Sequence, residues 1–347
     1  MKFQTRRPTA LAALLLTATF ALAGCGSDDG GDGGSADGGG GGDLSITMLP
    51  KNLGNPYFDT STAGAKKAAE EVGADFEEVG PEAASPDAQV SYINTVAQQG
   101  KSALILSAND PDALCDAIDE ARSADVKVIT FDADTNPDCR DLFINQATAE
   151  GIAAKQLELI SEEIGGEGEI AILSASANAT NQNAWIDMME KELKDNPDYA
   201  KIKLVDTVYG DDEDQKSFDQ TEALLQNHPD LKGIISPTTV GIAAAARYLS
   251  DSQYKGKVAL TGLGTPNQMR EYVEDGTVAS FALWNPGDLG YLATYAAAAL
   301  VNGDISGEEG DSFEAGDLGE FEVGADGTVL LGEPFTFNKD NIGDFDF

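Results

Sequence analysis

From residue 44 onward, apolar and polar positions follow two alternating rhythms. Short strand-like runs at 44–49, 75–79, 103–106 and 126–131 are separated by longer stretches at 57–72, 87–99 and 111–124, in which apolar residues recur every three or four positions. The short runs predict strands and the long ones amphipathic helices, as where Val90, Ile93 and Val96 share one helix face. After a strand-like 143–145 the alternation restarts, with helices expected at 147–164, 181–194, 215–226, 240–250, 267–274 and 288–301. Strands are expected between them at 169–173, 202–208, 233–236, 258–261 and 278–283, and short ones near 321–323, 329–331 and 334–337. Strand and helix in strict succession predict parallel sheets covered by helices on both faces. The expected class is therefore α/β, with two doubly wound parallel-sheet lobes.

The first 43 residues break this rhythm. Lys2, Arg6 and Arg7 precede an apolar stretch at 10–23, too short and too rich in Ala and Thr to cross about 30 Å of hydrocarbon. It ends in Leu22-Ala23-Gly24-Cys25, the pattern of a bacterial lipoprotein signal, in which cleavage leaves the Cys25 thiol to carry lipid. An ordinary secretory signal ending near a cysteine is the alternative. Residues 1–24 are thus expected to be a signal peptide, and 25–43 the lipidated cysteine and a Gly/Asp tether. That segment has little to bury, and as a Gly-rich coil it would span roughly 20–25 Å. The expected location is the outer face of a cell membrane, anchored through Cys25.

Composition removes several classes of function. Sixty acidic against 22 basic residues give a formal charge of −38, which argues against nucleic acid or an anionic lipid surface as partner. The only histidine is His228, so neither a metal cluster nor a histidine-based triad is expected. No Gly-x-Ser-x-Gly elbow, Gly-x-Gly-x-x-Gly turn or Walker loop is present. No catalytic residue and no cofactor are assigned. With Cys25 set aside, Cys115 and Cys139 form an even pair. A disulfide is the expectation, contributing about 3 kcal/mol by closing a loop of roughly 25 residues; two buried thiols are the alternative.

In open parallel sheets ligands bind beyond the carboxyl ends of the strands, where loops converge. The mainly polar residues at those positions are Lys51 and Asn55, Asp132 and Asp134, Asn181 and Gln182, the run Ser236-Pro237-Thr238-Thr239, the run from Gly264 to Asn267, and Asn285. Tyr57, Phe58, Phe131, Trp185 and Trp284 accompany them. Carboxylates accept bonds from hydroxyls, amides both donate and accept, and an aromatic ring covers the apolar C–H face of a sugar. The set suits a neutral polyhydroxylated ligand, a monosaccharide. Each member also has a plainer role open to it: Asp132 or Asp134 as a loop cap or a partner of Arg140, and Tyr57, Phe58 and Trp185 as core.

Several stretches carry a family resemblance. They are Leu-Pro-Lys-Asn-Leu-Gly-Asn-Pro-Tyr-Phe from Leu49, Thr-Phe-Asp-Ala-Asp-Thr-Asn-Pro-Asp-Cys-Arg from Thr130, Asn-Gln-Asn-Ala-Trp from Asn181, Gly-Thr-Pro-Asn from Gly264 and Phe-Ala-Leu-Trp from Phe281. The chain resembles the type I periplasmic solute-binding proteins of ABC sugar importers, in the branch that binds rhamnose or autoinducer-2. The resemblance implies two lobes joined by a three-segment hinge, with ligand held between them and an ABC permease as partner. It implies a first lobe of 44–146 with about 286–312, a second of 147–285 with about 313–347, and a monomeric, non-enzymatic protein. Lys51, Asp132, Gln182 and Pro237 match the autoinducer-2 contacts, while Asn181 stands in place of an aspartate and Thr239 in place of an alanine. These departures, with Trp284-Asn285-Pro286, favour rhamnose as the expected ligand.

Overall fold

The computed structural model describes residues 44–347; the signal, Cys25 and the tether lie outside the described residues. The first half runs β1 (Ser45–Leu49), α1 (Pro56–Val72), β2 (Asp75–Glu78), α2 (Pro86–Gln99), β3 (Ala103–Leu106), α3 (Cys115–Ser123), β4 (Lys127–Phe131) and β5 (Leu142–Asn145). The second runs α4 (Ala149–Ile164), β6 (Gly168–Ser174), α5 (Thr180–Asp195), β7 (Ile202–Tyr209), α6 (Asp214–Asn227), β8 (Leu231–Ser236), α7 (Thr239–Ser250), β9 (Ala259–Gly262), α8 (Pro266–Glu274) and β10 (Ser280–Leu283). Helix α9 (Pro286–Asn302) and the short strands β11 (Ser312–Glu314), β12 (Glu320–Glu322), β13 (Thr328–Leu330) and β14 (Phe335–Asn338) complete the chain.

Two parallel sheets result. One has six strands in the order β13-β5-β4-β3-β1-β2 and the other four in the order β7-β6-β8-β9. β10 continues the second sheet through a bridge from Leu263 to Ala282 and pairs antiparallel with β14. The central strands are buried on both faces; Ala103 to Leu106 and Ile170 to Leu173 are fully covered. That burial is why they read as unbroken apolar runs.

Helix boundaries follow local chemistry. Asn55 caps α1 by accepting from the Tyr57 N–H, Pro56 supplies a preset first-turn φ, and Gly73 ends the helix at φ 72°. The Asn-Pro pair at 285–286 repeats the device at α9. α1 and α9 then pack unusually closely: a Cβ added to Gly64 would lie 1.9 Å from the Gly287 carbonyl oxygen, and one on Gly290 would lie 2.0 Å from that of Ser61.

One boundary requires correction. Of the residues expected in the second lobe, about 313–347, β14 does pair there with β10, but β13 pairs in parallel with β5 in the first sheet and the β11–β12 hairpin packs on α9. A three-residue strand carries too little periodicity to reveal which sheet edge it joins. The chain passes between the sheets at 145–149, at 283–286 and at 330–335. The first and third crossings run side by side, Leu331 N–H donating to the Asn145 carbonyl at 2.8 Å and Gly332 N–H to that of Gln146 at 3.2 Å. Cys115 and Cys139 are joined by a disulfide, Cα–Cα 5.3 Å, tying the start of α3 to the turn at Pro137–Cys139.

Candidate functional site: a polar and aromatic cleft between two sheets

The carboxyl ends of both sheets face a narrow cleft whose empty space, open solvent included, is about 380 Å³. From the first sheet it is lined by Lys51, Asn55, Tyr57, Phe58 and Asp132; from the second by Asn181, Gln182, Trp185 and the turn Pro237-Thr238-Thr239, with Trp284 at the crossing.

Buried polar side chains fix the first-sheet loops. Fully buried Gln89 donates to the carbonyls of Pro50 at 3.1 Å and Ser107 at 2.8 Å, and accepts from the Asn109 N–H at 2.9 Å. Asn109 in turn donates to the Lys51 carbonyl at 2.9 Å. Two strand-end loops are thereby locked together. Asp132 follows directly on β4 with φ 61°, a left-handed conformation that Asp tolerates better than most residues. Its Oδ2 accepts from Ser107 Oγ at 2.7 Å, and its carbonyl accepts from Gln146 Nε2 at 3.1 Å. Lys51 Nζ lies 3.7 Å from Asp132 Oδ2, both side chains being 8% exposed. The only lysine in the lining is thus already paired with a carboxylate.

Asn181 crosses the cleft. It accepts from Lys51 Nζ at 3.2 Å, and its Nδ2 donates to the Asp132 carbonyl at 3.3 Å and to Oδ1 at 3.4 Å. An aspartate could accept but not donate, so the amide is what allows this position to bridge to Asp132. Gln182 Oε1 accepts from Ser174 Oγ at 2.7 Å and from the Ala175 N–H at 2.8 Å, which anchors α5 to the end of β6.

Beside these groups stands an aromatic wall. Trp284 Nε1 donates to the Tyr57 hydroxyl at 2.9 Å, and the Trp284 ring meets Trp185 and Tyr57 edge-on, each with centroids 6.1 Å apart. Burial, with the Asp132 carboxylate nearby, pushes the Tyr57 hydroxyl well above its ordinary value. It therefore stays a neutral phenol that can donate.

Several expected residues do not line the cavity, Ser236 and the run from Gly264 to Asn267 among them. Phe131 is fully buried behind Phe58, centroids 6.2 Å apart, as core. Asp134 turns away from the cleft and pairs with Arg140, which donates from Nε to Oδ1 at 3.0 Å and from one terminal nitrogen to Oδ2 at 2.9 Å. Asn285 is the cap of α9, accepting from the Gly287 N–H at 2.9 Å. Conversely Asp212, Leu263 and Leu283 line it unexpectedly, beside Thr238, which belongs to the expected run from Ser236. All four follow or end strands of the second lobe, so the strand-end rule reaches them. Asp212 was hidden in the acidic run Asp211-Asp212-Glu213-Asp214, which reads as a solvated surface, and the two leucines carry no polar signal.

Two interleaved parallel lobes with a polar and aromatic cleft at their carboxyl edges and three crossings between them describe a two-lobed binding protein. The chain belongs to the periplasmic binding protein family, residues 46–305 matching the periplasmic binding protein domain. Its solved relatives include proteins of ABC transporters. A sugar ABC transporter from Actinomyces odontolyticus is 56% identical, covering 88% of this chain and 98% of that one with a TM-score of 0.73. An ABC transporter solute-binding protein from Clostridium phytofermentans with bound L-rhamnose is 40% identical, covering 87% and 98% with a TM-score of 0.84. LsrB from Clostridium saccharobutylicum in complex with AI-2 is 28% identical, covering 88% and 100% with a TM-score of 0.83.

Proposed function

We propose that this protein is the lipid-anchored substrate-binding component of an ABC sugar importer, and that its ligand is the deoxyhexose L-rhamnose. The observation that carries the reading is the make-up of the cleft: paired Lys51 and Asp132, the amides of Asn181 and Gln182, and the Trp185–Trp284–Tyr57 wall on one cavity. Hydroxyls find acceptors and donors there, and an apolar ring face finds aromatic rings. Thr239 at the start of α7 adds a hydroxyl and bulk where the autoinducer-2 pattern has a methyl group. The 40% identity to an L-rhamnose-bound protein, against 28% to one bound to AI-2, points the same way.

The ligand is bound and released unchanged to a membrane permease, the two lobes moving about their three crossings. Lipid on Cys25 and the tether of residues 25–43 hold this body near that permease and raise its effective concentration there. The protein works as a monomer.

Titration calorimetry with L-rhamnose is expected to give one-to-one binding in the micromolar range or tighter, the sugar being recovered intact afterwards. Heat with AI-2 and none with L-rhamnose would replace the ligand while leaving the class of protein in place. Incorporation of labelled palmitate into the wild type but not into Cys25→Ser tests the anchor; equal labelling of both would remove it.

A further inference from the structure

Asp212 is one of two carboxylates in the cavity lining and sits on the loop between β7 and α6. Its neighbours hold it in place. Gly210 N–H donates to the Ser174 carbonyl at 2.9 Å and Asp211 N–H to that of Ala175 at 2.7 Å, so the loop is pinned to the end of β6. Asp211 and Asp212 are consecutive left-handed residues, φ 54° and 53°, which turns the second side chain back over the cleft. Thr238 donates to Asp212 Oδ1 and fixes the carboxylate, while Oδ2 has no bond to any described residue.

One ammonium against two carboxylates leaves the cavity with a formal charge of −1, and the ammonium is already engaged by Asp132 and Asn181. No unpaired cation remains there to receive an anionic group. Resting on the sugar-binding reading above, we infer that Asp212 is a specificity-determining residue, which takes a ligand hydroxyl on Oδ2 and makes the cleft select uncharged polyols over sugar acids. Burial pushes the Asp212 carboxyl above the ordinary range, its bond from Thr238 and the charge of Lys51 acting against that shift. A donating hydroxyl relieves this desolvation, whereas a ligand carboxylate would deepen it.

The test uses the full chain, Asp212→Asn and Asp212→Gly, both of which tolerate the left-handed backbone, titrated with L-rhamnose, AI-2 and L-mannuronate. The wild type is expected to give no heat with L-mannuronate. Each variant should lose about tenfold or more in affinity for the neutral ligand that the wild type binds, as fits the loss of one bond to a charged group. Asp212→Gly guards against misfolding of the first variant, and ligand-free melting temperatures identify which variants are intact. Unchanged affinity in either intact variant overturns the role of Asp212. Wild-type binding of L-mannuronate as tight as that of the neutral sugar overturns the charge selection. Wild-type binding of AI-2 but not L-rhamnose, with loss in the variants, supports Asp212 and removes only the rhamnose assignment.

Discussion

Lys51 and Asp132 are a buried ion pair before they are ligand contacts, and the two roles respond differently to substitution. Asp132→Ala removes the carboxylate beside a nearly buried ammonium and should destabilise the fold by about 3–5 kcal/mol in urea unfolding. Asp132→Asn keeps an acceptor for Ser107 and tolerates the left-handed backbone, so it should unfold closer to wild type while sugar affinity falls. Asp134 is expected to behave in the opposite way. Its bonds run to Arg140, whose side chain is 3% exposed, so Asp134→Ala should lower stability by about 3 kcal/mol and change affinity far less than Asp132→Asn does. The contrast shows where the sequence is legible at this scale. Being at a strand end brings Lys51, Asp132, Asn181, Gln182, Pro237 and Thr239 together, but it does not say which of two aspartates two residues apart faces the cleft. That depended on Arg140, six positions further on, and on the left-handed turn at Asp132, which rotates the side chains that follow.

At the scale of elements, the close approach of α1 and α9 predicts that Gly64→Ala drives the helices apart. Its new methyl group would collide with backbone, a loss of about 1–3 kcal/mol or more that urea unfolding would read. Glu163, at the end of α4, joins that helix to β10 by accepting from Ser280 N–H at 3.2 Å and Oγ at 2.9 Å. Burial pushes its carboxyl up to about 7, with a small contribution from Glu162 and against the Ser280 bonds. The folded protein therefore holds a proton there that the unfolded chain releases near its ordinary value of 4.5. Stability from this group is greatest below pH 4.5, falls as pH rises toward 7 by up to about 3 kcal/mol, and is level above. Urea midpoints across that interval should fall in the wild type relative to Glu163→Gln; parallel curves would show that Glu163 titrates normally. The alternation of elements was readable because strands and helices of this length impose distinct periods on their apolar residues. The sheet that β13 joins was not, since its three residues contact β5 from 185 positions away.

Over the whole molecule, 60 acidic residues stand against 22 basic ones. Mutual repulsion should make stability rise with added salt at neutral pH, so the urea midpoint is expected to increase between about 0.01 and 0.15 M salt, as the screening length shortens from about 30 to 8 Å. A flat response would mean that the ion pairs already offset the excess. The sheets, crossings and cleft make one receptor only if ligand reaches the aromatic wall, and the chain offers a direct probe of that wall. Its two tryptophans, Trp185 and Trp284, both line the cavity. Tryptophan fluorescence followed during addition of L-rhamnose is predicted to change saturably at micromolar sugar. An unchanged signal with L-rhamnose, together with a saturable one with AI-2, would contradict the assignment of the cleft to rhamnose.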